Sequence, residues 1–324
     1  MKVLVTPNIS DKALTYLKGS CDVRISAGLL PTDSELSDCE ALQIRSRTKI
    51  TAGLLAQAKQ LKVIVTATSG FDHIDLHACQ QANVTVMHTP TANAQSAAEL
   101  ATTLMMLLHR PIHLYDQGIR QGLWRDQFQA ARLLGESHLG IVGLGRIGRR
   151  VAMMAKAFGM SMSFYDPYVS QAEAALTGLA IQKEDDLHQL FSHCDVVSLH
   201  VPRTTKTSGM INSEVFSHAQ GLRLINTCRG DVVVEDDLCA ALDKGQIAAC
   251  GLDVFESEPL SPTSKLRASD RPVVFSPHAG AFTEHAFDAS SLEAAEKVVK
   301  FLSENEISDP LPPATAWAKD IPIA

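Results

Sequence analysis

Short apolar runs alternate along this chain with stretches whose apolar positions recur at helical spacing. Lys2 to Thr6, Asp22 to Ile25, Ala41 to Ser46, Leu61 to Thr68 and Val84 to Thr89 read as strands. Asp11 to Lys18, Asp33 to Leu36, Thr51 to Gln60 and Ile74 to Ala82 read as the helices between them. Such alternation predicts a parallel sheet with helices on both faces, so residues up to about 97 are expected to form one α/β domain. Ser96 to Arg110 is apolar around most of its circumference, which predicts a helix that is buried or covered by a partner subunit. Gln117 to Trp124 reads as a polar loop. A second α/β series runs from His138 through strands near Asp195 to Leu199, Leu222 to Asn226, Ala249 to Val254 and Val273 to Ser276. A last helix, Glu284 to Leu302, precedes a Pro-rich tail.

Composition narrows the class. A chain of 324 residues accommodates two domains, each with its own core. The formal net charge of −7 and the lack of any basic block argue against nucleic acid as a partner. No apolar run reaches membrane length, and the first one is too short for a secretion signal. The 7 cysteines are an odd number, widely spread and without a C-x-x-C pair, which suits reduced thiols in a cytoplasm. His109 and His113 are separated by Pro111 and lack an accompanying Glu, so no metal is expected there.

The most informative stretch is His138 to Gly148, where an apolar strand flows into Gly143-Leu144-Gly145-Arg146-Ile147-Gly148 and then a helix. Gly143 permits a tight turn, Gly145 lets backbone approach a pyrophosphate, and Gly148 lets helix and strand pack closely. The helix start offers free N–H groups, including those of Arg146 and Ile147, and a positive dipole end. The next strand, Ser161 to Tyr165, ends in Asp166, an acceptor for the adenosine ribose. Its charge repels a 2′-phosphate and no Arg follows closely, so NAD is expected over NADP. The plainer alternative is an ordinary strand-to-helix turn.

In open α/β sheets ligands gather beyond the C-terminal ends of the strands. Those ends here carry His200-Val201-Pro202, Thr227-Cys228-Arg229-Gly230, Asp253 with Glu258, and Ser276-Pro277-His278. A guanidinium, a carboxylate and an imidazole together suit oxidation of a hydroxy acid. Arg grips the substrate carboxylate, His takes the hydroxyl proton, and Glu orients the imidazole and raises its pKa. Each residue also has a simpler use: Arg229 in a surface ion pair, Glu258 as a solvated loop acid, His278 as a helix cap.

With these motifs, and with Ile44-Arg45-Ser46-Arg47-Thr48, Gly70-Phe71-Asp72-His73-Ile74-Asp75, Thr91-Ala92-Asn93-Ala94 and Gly122-Leu123-Trp124 upstream, the chain resembles the D-isomer-specific 2-hydroxyacid dehydrogenase family over nearly its whole length. The likeness is nearest to the phosphoglycerate dehydrogenase branch. It implies two doubly wound parallel-sheet α/β domains, a Rossmann NAD domain (98–284) inserted in a flavodoxin-like substrate domain (1–97, completed by 285–324). It implies hydride transfer between NAD(H) and a D-2-hydroxy acid or 2-oxo acid, with D-3-phosphoglycerate the candidate, in a homodimer joined through the NAD domain. Arg229, Glu258 and His278 are the implied catalytic set. Gly143, Gly145, Arg146, Ile147, Gly148, Asp166, His200, Pro202, Thr227, Asp253 and His278 are expected at the cofactor, with Asp253 holding the nicotinamide carboxamide. Ser69 and Gly70, through backbone N–H groups, and Arg229 are expected at the substrate, and the cleft between the domains is expected to close over it. Two readings stay open beside this one: a general glyoxylate/hydroxypyruvate reductase, and an NAD-sensing regulatory protein on the same fold.

Some positions depart from the family pattern. Cys228 stands where Ala or Val is usual, and its inert reading is favoured. Thr66 stands where some phosphoglycerate enzymes carry a basic residue, and no serine-binding regulatory domain follows, so that feedback is not expected. Arg45 and Arg47 follow a strand, and in an extended chain residues two apart share a side, so both are expected to face a distal phosphate or second carboxylate of the substrate.

Overall fold

The computed structural model describes residues 1–268 and 272–321. In the strand Lys2–Val5 (β1), Val3 and Val5 enter one hydrophobic cluster and Leu4 another, the two-residue period of a strand buried on both faces. β2 (Asp22–Ile25), β3 (Ala41–Ile44), β4 (Val63–Thr66) and β5 (Thr85–His88) join it in a five-stranded parallel sheet of order β2-β1-β3-β4-β5. This is the flavodoxin-like order. One face packs on the helices Asp11–Lys18 and Glu284–Glu304, through Ala13, Leu17, Ala294, Ala295 and Val298. The opposite face packs on Leu36, Leu55, Ala78 and Cys79 of short helices. Ser10 and Thr283 cap the two long helices, their hydroxyls accepting from the N–H groups of Ala13 and Ala286. Buried Lys297 ties the returning helix to the tail, donating to the His88 carbonyl and to Asp309.

This unit comprises Met1–Ala94 and Ala281–Ala324; Gln95–Gly280 form the second. The second contains β6 (His138–Val142), β7 (Ser161–Tyr165), β8 (Gln182–Lys183), β9 (Val196–Leu199), β10 (Leu222–Asn226), β11 (Ile247–Leu252) and β12 (Val273–Phe275). They form a seven-stranded parallel sheet of order β12-β11-β10-β9-β6-β7-β8. Sequence order runs outward in opposite directions from the β9–β6 pair, so a crevice opens beyond their C-terminal ends. No described helix is long and apolar enough to cross a membrane.

Several local expectations change. The polar loop expected over Gln117 to Trp124 is helical in its first part, within Ile112–Arg120. Pro111 starts this helix, and Tyr115 packs edge-on against the Phe128 ring at 5.0 Å, a contact that outweighs the polar composition. In the helix Ala94–His109, Ala98, Ala101, Leu104, Met105 and Leu108 face the core, while Gln95, Glu99, Thr103 and Met106 are exposed in the single chain. Two-residue β8 and the helices Leu187–His193 and Glu235–Asp243 carried too little periodic signal to be read beforehand.

Candidate active site

Each glycine of the turn after β6 has its own steric reason. Gly143 has φ +93°, and a Cβ there would lie 2.7 Å from the His200 carbonyl oxygen. A Cβ on Gly148 would lie 2.2 Å from the Gly143 carbonyl oxygen, so helix Arg146–Ala157 approaches the strand only because this position is bare. Gly145 faces open space, leaving backbone accessible beside the N–H groups of the helix start, Arg146 and Ile147 among them, which have no partner among the described residues. Asp166 is held at the end of β7 by the N–H groups of Leu144 and Tyr168, both at 2.9 Å.

The ends of β9 and β10 add two unsatisfied polar atoms. His200 shares a hydrogen bond with Ser198 Oγ through Nε2, while its buried Nδ1 has no partner among the described residues. Burial pushes this imidazole down to about 3, so it is neutral. Thr227 Oγ1 is likewise buried and unpartnered. Buried polar groups without partners are uncommon, and a polar ligand at this edge would satisfy both. With the open backbone at Gly145, they fit a dinucleotide. Pro202 follows β9, its carbonyl fixed by Thr207 Oγ1 at 2.7 Å.

Buried Asn226 shapes the next loop, accepting from Cys228 N and donating to the Arg229 carbonyl. Gly230 then presses onto the Phe255 backbone, where a Cβ would come within 1.9 Å. That contact draws the Arg229 loop against the loop bearing Glu258. Cys228 is buried among these bonds, and burial pushes its thiol up to about 11, in keeping with the inert reading.

His278 Nδ1 lies 2.7 Å from Glu258 Oε2, and Glu258 Oε1 accepts from Phe255 N. The hydrogen bond to Glu258 raises the His278 pKa against the opposing effects of burial and Arg229. Burial works against ionisation of Glu258, yet the His278 bond and nearby cations leave its pKa lowered. His278 is no helix cap: it has φ +53°, a left-handed conformation that a braced turn must enforce. Asp253, fully buried, enforces it. Its carboxylate accepts from Ser276 Oγ, Ala279 N and Gly280 N, and its carbonyl from His278 N. These bonds take three of the about four lone-pair directions on the carboxylate.

In the first unit, the Ser69 carbonyl accepts from His88 Nδ1 at 2.9 Å and the Gly70 carbonyl from Thr68 Oγ1 at 2.7 Å. Among the described residues, the N–H groups of Ser69 and Gly70 donate no hydrogen bond, which suits them to an anion. The premise for Arg45 and Arg47 fails. The chain turns after β3, with Thr48 N bonded to the Arg45 carbonyl, so the two residues do not share the side of an extended strand. Arg45 instead reaches Ser290 Oγ at 3.1 Å and lies 4.9 Å from the Phe287 ring centroid, while Arg47 is exposed. Sequence reasoning assigned no role to Asn226, Ser276 or His88; the signal was a polar residue closing or following an apolar strand.

The profile described as D-isomer specific 2-hydroxyacid dehydrogenase, NAD binding domain, matches residues 102–280. The chain is 35% identical to D-3-phosphoglycerate dehydrogenase of Methanocaldococcus jannaschii over 96% of its own length and 60% of that protein's. It spans between about half and three-fifths of the curated relatives it matches. A solved protein of Thermus thermophilus superposes with a TM-score of 0.85 at 32% identity, covering 96% of this chain and 100% of that one. D-Lactate dehydrogenase of Aquifex aeolicus, solved with NAD and lactic acid, gives 0.80 at 31% identity, covering 93% and 95%. Glycine turn, acidic strand end and Arg-Glu-His set thus lie within the matched NAD-binding domain, and the chain belongs to the D-isomer specific 2-hydroxyacid dehydrogenase family.

Proposed function

We propose that this protein interconverts a D-2-hydroxy acid and its 2-oxo acid, with Gln95–Gly280 as the NAD-binding domain and the first unit as the substrate domain. The observation that carries the reading is the 2.7 Å pair of His278 and Glu258 on the strand-end edge that also bears the glycine turn. NAD, when bound, accepts or returns the hydride. In reduction, protonated His278 gives its Nε2 proton to the substrate oxygen while Glu258 holds Nδ1–H. Arg229 neutralises the substrate carboxylate and polarises the adjoining carbonyl. As the resemblance implies, the N–H groups of Ser69 and Gly70 are the first unit's proposed carboxylate donors, and the remaining acceptor of Asp253 is proposed to take the carboxamide.

The test is NADH oxidation with a panel of 2-oxo acids, comparing the native protein with His278→Ala. Turnover should fall by roughly two to four orders of magnitude while NADH affinity stays near normal. Native-like turnover in the variant defeats the assignment of His278. Failure of the native protein on every acid favours the NAD-sensing regulatory reading.

The relatives' names favour 3-phosphoglycerate and its keto acid as substrates. A general 2-oxo acid reductase is favoured by the engagement of Arg45 with Ser290 and Phe287, which takes up the guanidinium proposed for a distal anion. Arg45→Ala separates them: a KM rise confined to the phosphorylated keto acid supports the first, and equal effects on pyruvate and the phosphorylated acid support the second.

We also propose a homodimer joined through the NAD-binding domain. Ile112, Leu114, Ile119, Trp124 and Leu133 are all exposed within a short stretch of that unit, Trp124 by 70%, and apolar surface so concentrated suits a second copy. Light scattering should give a dimer that Ile112→Asp with Leu133→Asp converts to monomer; a native monomer refutes it. All cysteines are free, in keeping with a cytoplasmic location.

A further inference from the structure

The larger sheet begins, at the edge opposite the glycine turn, with a group of residues the proposed reaction does not use. His138 opens β6, His193 ends the helix Leu187–His193, and Cys194 follows it. One ligand atom from each lies within 4.8 Å of the others. Glu184, just after β8, brings Oε1 to 3.6 Å from His193 Nε2. The thiol has its place because residue 140 is glycine: a Cβ there would meet Cys194 Sγ at 2.9 Å.

Hydrogen bonding leaves His138 able to ligate. His138 shares hydrogen bonds with Ser161 Oγ through Nδ1 and with Ser163 Oγ through Nε2, both at 2.9 Å. A neutral imidazole accepts at one nitrogen and donates at the other, so one nitrogen has a lone pair that a metal can take from a serine hydroxyl. The other keeps its serine, as ligating histidines generally keep an outer partner.

We propose that His138, His193 and Cys194 form a zinc site at the starts of the central strands β6 and β9, remote from the cofactor turn, with Glu184 as an outer partner of His193. Two imidazoles and one thiolate supply three ligands, a donor set suited to tetrahedral zinc with solvent in the fourth position. The ligand atoms close inward to reach bonds of about 2.0–2.3 Å; exposed His193 has the freedom to do so. On binding, the Cys194 S–H proton passes to solvent as the zinc–sulfur bond forms. The ion would clip the start of β6 to the helix end and the segment leading into β9, stabilising the NAD-binding unit without touching its cofactor end.

The full-length chain, stripped with chelator, is titrated with Zn²⁺ against a chromophoric chelator and separately with Co²⁺. One ion per chain, a higher Tm and a thiolate-to-cobalt charge-transfer band are expected. His193→Ala alters an exposed side chain and should weaken zinc roughly tenfold or more; Cys194→Ala should abolish the band, with NADH binding unchanged in both. Absence of stoichiometric binding, a cobalt spectrum without the thiolate band, or zinc affinity unchanged in His193→Ala would overturn the site. The His193 variant decides should Cys194→Ala fail to fold.

Discussion

Glu258 Oε2 and His278 Nδ1, 2.7 Å apart, shift each other's protonation in opposite senses: the imidazole upward and the carboxyl downward. Reduction needs protonated His278, so kcat/KM for a 2-oxo acid should persist above the ordinary histidine value of 6.5 and fall as pH rises through the raised pKa. Glu258→Gln removes the charge that raises it, and the descending limb should move to lower pH. An unmoved limb assigns the titration elsewhere. The same shifts bear on stability. The imidazole's share is complete below 6.5 and lost as pH rises through its folded pKa. The carboxylate's share is complete above 4.5 and lost as pH falls through its lowered one. The pair therefore stabilises most between those two values.

Asp253 holds the turn that sets His278 in its left-handed conformation. Asp253→Asn keeps the volume but replaces one acceptor oxygen with a donor facing backbone N–H groups. Displacing the imidazole by about 1 Å costs roughly 10²-fold in rate. A fall of that order in kcat, with a shifted basic limb and little change in substrate KM, is expected from pH-resolved kinetics. Unchanged kcat with weakened NADH binding alone would restrict Asp253 to the cofactor.

Gly148→Ala should abolish NADH binding or prevent folding, because its Cβ would meet the Gly143 carbonyl oxygen at 2.2 Å. Asp166→Ala is gentler. It removes the ribose acceptor and the repulsion of a 2′-phosphate, so the NADPH-to-NADH affinity ratio should rise. It also frees Leu144 N and Tyr168 N, so NADH affinity should fall. Fluorescence titration with both cofactors checks each change, and a native preference for NADPH would refute this role of Asp166.

His88 Nδ1 must carry the proton in its bond to the Ser69 carbonyl, since a carbonyl only accepts. Across a trans peptide, turning the Ser69 carbonyl toward His88 turns the Gly70 N–H the opposite way. His88→Ala should therefore raise the KM for a 2-oxo acid more than it lowers kcat, and His88→Asn, which retains a donor, should recover part of the loss. Equal damage in both variants, matched by loss of Tm, would mean that His88 serves packing alone.

The alternation of apolar runs determined the two parallel sheets, because strands buried on both faces and their covering helices need different periods, as Val3, Leu4 and Val5 illustrate. Spacing alone also made the dinucleotide turn legible, since Gly143, Gly145 and Gly148 meet local steric demands within one strand–turn–helix unit. Arg229, Glu258 and His278 were legible as strand-end residues, though not their distances or protonation. Those depend on Gly230 pressing one loop onto another and on Asp253 bracing a turn more than twenty residues away. The tertiary structure alone decided Arg45, which the turn at Thr48 sends to the returning helix. It also decided the meeting of His138 with His193 and Cys194, because side chains distant in sequence have no common spacing to read until parallel strands bring their starts together.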